Sequence, residues 1–238
     1  MTNRKDLEDI VSLSRKALLQ ASEDTISVPE VERDVLEAIG SHQGTGVPAA
    51  DKQQLLNQYE QEIHTCTKCR LHEGRNKFVF GGGNPDADVM FIGEGPGRDE
   101  DLKGIPFVGR AGQLLDKILK AIDFERSQVY IGNMVKCRPP GNRDPQQDEM
   151  ETCRPYLMRQ IEIIEPRLIC CLGRVSAQAL LRTTTPLGKL RGKFHDFKGI
   201  KLMVTYHPAA LLRFQQYKRD TWEDVQMLRA EYDRIAGR

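Results

Sequence analysis

Four cysteines stand outside the apolar runs of this 238-residue chain: Cys66 and Cys69 as a C-x-x-C pair, Cys137 after 67 further residues, and Cys153 after another 15. Arg or Lys flanks each pair. Four thiolates are the donor set of a structural zinc site or of an iron–sulfur cluster. Zinc ribbons usually carry two C-x-x-C knuckles and this chain has one, so the spacing leans towards iron–sulfur, with four unrelated cysteines as the alternative. Cys170 and Cys171 lie inside an apolar run and read as core packing.

A second chemical signal is F-I-G-E-G-P-G at residues 91–97. Three glycines after an apolar run suggest a phosphate cradle. A dinucleotide fingerprint, however, needs glycine where Arg98 stands, and the Gly-Lys-Ser/Thr of a P-loop is missing. Glu94 would also repel a phosphate. The loop therefore serves a close approach to its backbone, or it is a tight turn. Asn133 closes the run V-Y-I-G-N, where an amide must find hydrogen-bond partners if buried; a turn cap is the plainer reading. His207, in T-Y-H-P-A-A-L, falls between a strand and a helix start. Arg138, Arg143 and Arg154 flank the last two cysteines and are candidates for following a phosphate backbone, against a solvated loop.

These residues need elements to bring them together. Apolar runs of strand length at 88–92, 129–131, 167–172 and 200–205 alternate with helical patterns at 111–122, 146–164, 175–181 and 221–235. That alternation predicts a mostly parallel sheet covered on both faces. The downstream ends of the four runs carry the glycine loop, Asn133, the stretch C-C-L-G-R and His207. Ligands of such sheets bind outside the carboxyl ends of the strands, which predicts one shared site from residues more than 100 positions apart.

Residues 1–50 hold five Lys/Arg against nine Asp/Glu, leaving thirty against twenty-five for the remainder, so the second part is mildly basic. This suits a polyanionic partner and equally an ordinary solvated surface. Short helices are expected at 4–20 and 31–39, followed by a turn-rich linker at 41–54 and a domain boundary near residue 52. With no signal peptide and no long apolar stretch, the expectation is a cytoplasmic protein without membrane contact.

Taken together, C-x-x-C at 66–69, GEGPGRDEDLKGIPFVGRAGQLLD at 93–116, NMVKCRPPGNRDP at 133–145, CRPYL from Cys153 and YHPAALLR at 206–213 resemble the iron–sulfur, family 4 type of uracil-DNA glycosylase. The likeness runs from about Tyr59 to Asp233 and leaves residues 1–52 outside it. It implies a three-layer α/β/α sandwich around a short four-stranded, mostly parallel sheet in residues 53–238. It also implies a structural [4Fe–4S] cluster on Cys66, Cys69, Cys137 and Cys153. The implied activity is removal of uracil flipped out of single- or double-stranded DNA by a monomeric, nucleoid-associated repair enzyme, with no lyase step. Residues 1–52 are a candidate arm for a replication or repair partner.

The same resemblance suggests roles for individual residues. Gly93, Glu94, Gly95, Pro96 and Gly97 would floor the base pocket, Phe107 would stack on uracil, and Asn133 would read its Watson–Crick edge. His207 would stabilise charge developing on uracil O2. Glu100 would wall off C5 against the methyl group of thymine. Gly95 stands where better-known uracil glycosylases have a water-activating aspartate, so cleavage is expected to be dissociative, with Glu94 or Asn142 orienting water. A covalent-trapping relative carries a histidine insertion after the glycine loop; the segment RDEDLKGIPF has no histidine, which predicts turnover. A non-catalytic polymerase accessory and an iron–sulfur electron carrier are the rival readings.

Overall fold

The computed structural model describes residues 49–237; the helices expected at 4–20 and 31–39 lie outside them. The described residues form one compact unit. Helix α1 (Ala49–Ile63) starts ahead of the expected boundary at residue 52, and Lys52 ties it down by donating to the carbonyl of Ile164 at 3.0 Å.

In chain order there follow β1 (Gly82–Gly83), β2 (Val89–Gly93), α2 (Arg98–Lys103), α3 (Arg110–Ala121), β3 (Tyr130–Asn133) and α4 (Gln147–Ile164). Then come β4 (Leu168–Leu172), α5 (Arg174–Leu181), α6 (Leu187–Leu190), β5 (Phe194–Phe197), β6 (Ile200–Thr205), α7 (Pro208–Arg213) and α8 (Tyr217–Ala236). The sheet order is β1-β3-β2-β4-β6-β5. The middle four strands are mutually parallel, as their unbroken apolar runs require, and an antiparallel strand closes each edge.

Two edge strands thus extend the expected four to six. β1 consists of two glycines, which leave no side-chain pattern to read. β5 and β6 are joined by Lys198 and Gly199, both with positive φ, a two-residue hairpin in which Lys-Gly takes the place of the commoner Asn-Gly.

Side chains alternate across the sheet and fill two separate cores. Met90, Ile92, Tyr130, Ile169, Cys171, Leu202 and Val204 face α1, α4 and α5, together with the four loop and helix cysteines. Val89, Phe91, Ile131, Leu168, Cys170, Leu172 and Met203 face α3 and α8, together with Phe107. On α3, Gly112, Leu115 and Leu119 make the buried stripe at helical spacing. Among the described residues, no helix is long and apolar enough to cross a membrane.

Candidate active site and cysteine centre

Gly93 and Asn133 end adjacent parallel strands and are paired in register. Beyond them the two chains stay joined, with Met134 N–H donating to Gly93 O at 3.0 Å and Val135 N–H to Glu94 O at 3.1 Å. Asn133 is 2% exposed, and its Oδ1 is a buried acceptor with no hydrogen-bond partner. Such an atom costs free energy unless something satisfies it. A Cβ at Gly93 would lie 2.5 Å from that oxygen and 2.7 Å from the ring of Phe107. Glycine is needed here because protein groups close in, at an ordinary φ. Gly95 and Gly97 follow suit: a Cβ would meet Val135 Cγ2 at 2.7 Å in one case and Glu100 Oε2 at 2.7 Å in the other.

Phe107 brings its ring to within 5.5 Å of the His207 ring, centroid to centroid and tilted by 33°. His207 caps α7: its Nδ1 accepts from Ala209 N–H at 3.1 Å, and Pro208 fills the first helical position. An Nδ1 that accepts carries no proton, so the ring's proton sits on Nε2. Burial, assisted by the charge of Arg213, lowers the His207 pKa to about 4. The imidazole is therefore neutral near pH 7 and presents an N–H. Gly173, with φ +98°, leaves room for it, since a Cβ there would touch His207 Cβ at 3.0 Å.

The carboxyl of Glu94 is half-buried. Burial and repulsion from Asp144 push its pKa up to about 7 against the opposing pull of Arg174. Arg174 in turn pairs with Asp144. Glu100 accepts from the backbone N–H groups of Val108 and Gly109 at 2.9 and 2.8 Å, which engages its carboxylate in holding the loop just after Phe107. Pro96 is buried in the same loop. Asn142 is exposed on the neighbouring turn, where its Oδ1 accepts from Arg138 at 2.8 Å.

The four cysteines gather on the other core. Each sulfur is approached by a donor: Tyr156 O–H to Cys66 at 3.1 Å, Arg75 to Cys137 at 3.3 Å, Lys136 N–H to Cys153 at 3.3 Å, and the backbone of Leu71 to Cys69. The sulfurs also feel one another's charge, Cys137 with Cys66 and Cys69, and Cys153 with Cys137 and Cys69. Burial pushes the Cys153 thiol up to about 12 and raises Cys69 and Cys137 as well. Among the described residues, no three His, Cys, Asp or Glu are drawn tightly enough to hold a single metal ion. Four cysteine sulfurs, each approached by a hydrogen-bond donor, are a donor set that a zinc ion or an iron–sulfur cluster would accept.

Two of the three arginines expected to face DNA are committed elsewhere. Arg143 makes a two-pronged contact with Glu149 at 2.6 and 2.8 Å, and Arg154 donates to the carbonyl of Ala179. Glu149 has no exposed surface and caps α4 from within, so an ionised carboxylate there needs a cation, which Arg143 and Arg70 supply.

A family model described as the uracil DNA glycosylase superfamily matches residues 80–226. The chain belongs to this superfamily. A type-4 uracil-DNA glycosylase of Archaeoglobus fulgidus is 44% identical over 181 residues, which span 73% of this chain and 91% of that protein. One of Thermotoga maritima is 40% identical over 179 residues, 74% of this chain and 93% of the relative. A DNA polymerase of Bacillus phage SP01 is 30% identical over 159 residues, 66% of this chain but 17% of the polymerase.

Within this superfamily member, then, Gly93, Phe107, Asn133 and His207 converge directly, with Glu94 beside them. Glu100 holds the loop and Asn142 stands apart on the surface. Sequence reasoning missed Arg126, Gly112, Gly173, and the Asp144–Arg174 pair that flanks Glu94. A lone arginine or glycine inside a helical pattern has no signature. Only the G-R following the C-C-L run, at the end of a parallel strand, offered a cue for Gly173 and Arg174.

Proposed function

We propose that this protein removes uracil from DNA by hydrolysing its N-glycosidic bond, and that Asn133 is the base reader. The observation that carries the reading is the buried, partnerless Oδ1 of Asn133, set among Gly93, Phe107 and His207 at one sheet edge. An acceptor held dry and unsatisfied is complementary to the N3–H of a flipped uracil, while the amide N–H groups meet O4. Cytosine, with an acceptor at N3 and a donor at N4, mismatches both.

Stacked on Phe107, uracil leaves as the C1′–N1 bond breaks, and the bonding electron pair spreads over N1, C2 and O2. His207 would donate its Nε2–H to O2. Being neutral, it stabilises the anion as a hydrogen-bond donor that has no excess proton to give. The oxocarbenium-like sugar is then captured at C1′ by water, and the proton released as the C–O bond forms ends on the uracil anion, so that neutral uracil and an abasic sugar result. Glu94 orients that water, and Glu100 shapes the pocket by fixing the loop behind Phe107. Asn142 is a second candidate for the water, through a loop movement that would free it from Arg138.

Cys66, Cys69, Cys137 and Cys153 would hold the [4Fe–4S] cluster. The bound group supplies a covalent cross-link between the segment after α1, the loop after β3 and the helix α4. Hydrolysis of an N-glycosidic bond needs no electron donor or acceptor, so the cross-link would be its role. The domain proper is proposed to start at α1, with the preceding residues as a separate extension.

The test is Asn133→Asp, which substitutes acceptors for the amide donor. Single-turnover excision from a uracil-containing oligonucleotide should fall by about 100-fold or more, with a trace of cytosine excision gained. Uracil excision at the undiminished rate would remove Asn133 from the base edge.

A further inference from the structure

Phe107 carries the stacking surface, yet its backbone sits in the left-handed region with φ +51°, rare and strained for an aromatic residue. Such a conformation persists only where surrounding groups over-determine it. Three groups do so here, from three directions.

On one side Arg126, from the short turn ahead of β3, spreads its guanidinium over consecutive carbonyls. Its Nη2 donates to Pro106 O, and its Nη1 donates to Phe107 O at 3.1 Å and to Asp116 Oδ1 at 2.9 Å. On the other side Glu100 accepts from Val108 and Gly109 N–H. Beneath, the Phe107 carbonyl rests on α3 at Gly112, where any Cβ would overlap it. A cation grips the acceptors before and at the bend, and an anion grips the donors after it. With its peptide groups fixed on both sides, the ring lies against Gly93 and His207.

We infer that Arg126 is a positioning residue for uracil excision: its fork holds Phe107 in the left-handed conformation that presents the ring to the base. The inference rests on the reading that Phe107 stacks on uracil. Only arginine reaches two carbonyls and a carboxylate at once from one planar group, so lysine should replace it in part.

The experiment is a double-mutant cycle of Phe107→Ala and Arg126→Met, read as single-turnover excision from a uracil-containing single-stranded oligonucleotide, with folding followed by circular dichroism. A small misplacement of a group near the reacting base can cost about 100-fold, so Arg126→Met alone should slow excision by about 10- to 100-fold. In the Phe107→Ala background it should slow excision no further, and Arg126→Lys should recover part of the rate. An equal loss in both backgrounds would show a general structural role and overturn the inference. If Phe107→Ala is slow while Arg126→Met matches the unsubstituted protein, the grip is refuted and the stacking reading stands. If Phe107→Ala itself excises at the full rate, the stacking reading fails first. Should Arg126→Met not fold, Arg126→Gln, which keeps one donor for the carbonyls, completes the same cycle.

Discussion

On the Phe107 side of the sheet the polar groups that shape the pocket are satisfied from within the chain. Glu100 and Arg126 hold the loop and Ala209 fixes His207, while Asn133 Oδ1 has no partner within the chain, as the proposed base reader requires. On the cysteine side the chain supplies sulfurs and the donors that approach them, Arg75 and the backbone of Lys136 among them, while burial opposes their ionisation. Arg143, Arg70 and Glu149 add a salt-bridged brace next to it, joining the C-x-x-C segment to α4. The difference separates two ways of building a site. On the proposed reading, one half is preorganised for a ligand that comes and goes, and the other would be completed by a resident one. Substitutions should therefore damage activity on the first side and folding on the second.

The largest effect is expected on the cysteine side. Cys137→Ala should yield protein that is largely unfolded or aggregated by circular dichroism, because it opens the cross-link between the two halves of the domain. The unsubstituted protein should be brown and contain iron and sulfide, with an absorption that dithionite changes only weakly. Colourless protein with one zinc per chain would break the comparison on this side.

On the pocket side, His207→Ala should leave the circular dichroism spectrum and binding to uracil DNA nearly unchanged while lowering the single-turnover rate by about 100-fold or more. A parallel loss of folding would erase the distinction between the two halves.

A smaller effect concerns pH. Glu94, held near 7 by burial and Asp144, is protonated below that value and ionised above it. A carboxylate orienting water beside a cationic sugar acts in its charged form, so the excision rate should rise from pH 6 to 8 and then level off. Glu94→Gln should flatten the profile and lower the plateau by about tenfold. His207, already neutral above about 4, should add no inflection between pH 5 and 9. A profile that keeps its inflection in Glu94→Gln would move the titrating group elsewhere. The smallest effect is expected from removing residues 1–46, ahead of α1: rates on short oligonucleotides should change by less than about twofold, and a folded but inactive truncation would extend the catalytic unit into that segment.

The parallel strands and the long helices were legible because each shows a clean period: fully apolar runs for β2 and β4, and Leu115 and Leu119 at helical spacing for α3. The gathering of Gly93, Asn133 and His207 followed from one topological rule about strand ends. What stayed hidden was set by tertiary contact. Nothing local distinguishes Arg143, which braces a buried carboxylate, from Arg138, which donates to the exposed Asn142. Nor does P-F-V-G-R announce that Phe107 adopts a positive φ, since the groups enforcing it come from α3 and from the turn at Arg126. The sequence also did not show that the three loop glycines make room for Asn133, Phe107, Val135 and Glu100, whose side chains a Cβ there would meet.

The in-register pairing of Gly93 with Asn133 has a consequence for altering base selectivity. With a Cβ on residue 93 falling on both the Asn133 amide and the Phe107 ring, the two strand ends divide one fixed allotment of space, and neither position can change size alone. A search for variants that accept other bases would find single replacements at 93 crowded out, and single replacements at 133 leaving a gap or an unmatched polar group. Solutions that change the size of either group should appear as correlated pairs, a smaller reader opposite a larger floor, whereas the isosteric Asn133→Asp needs no partner.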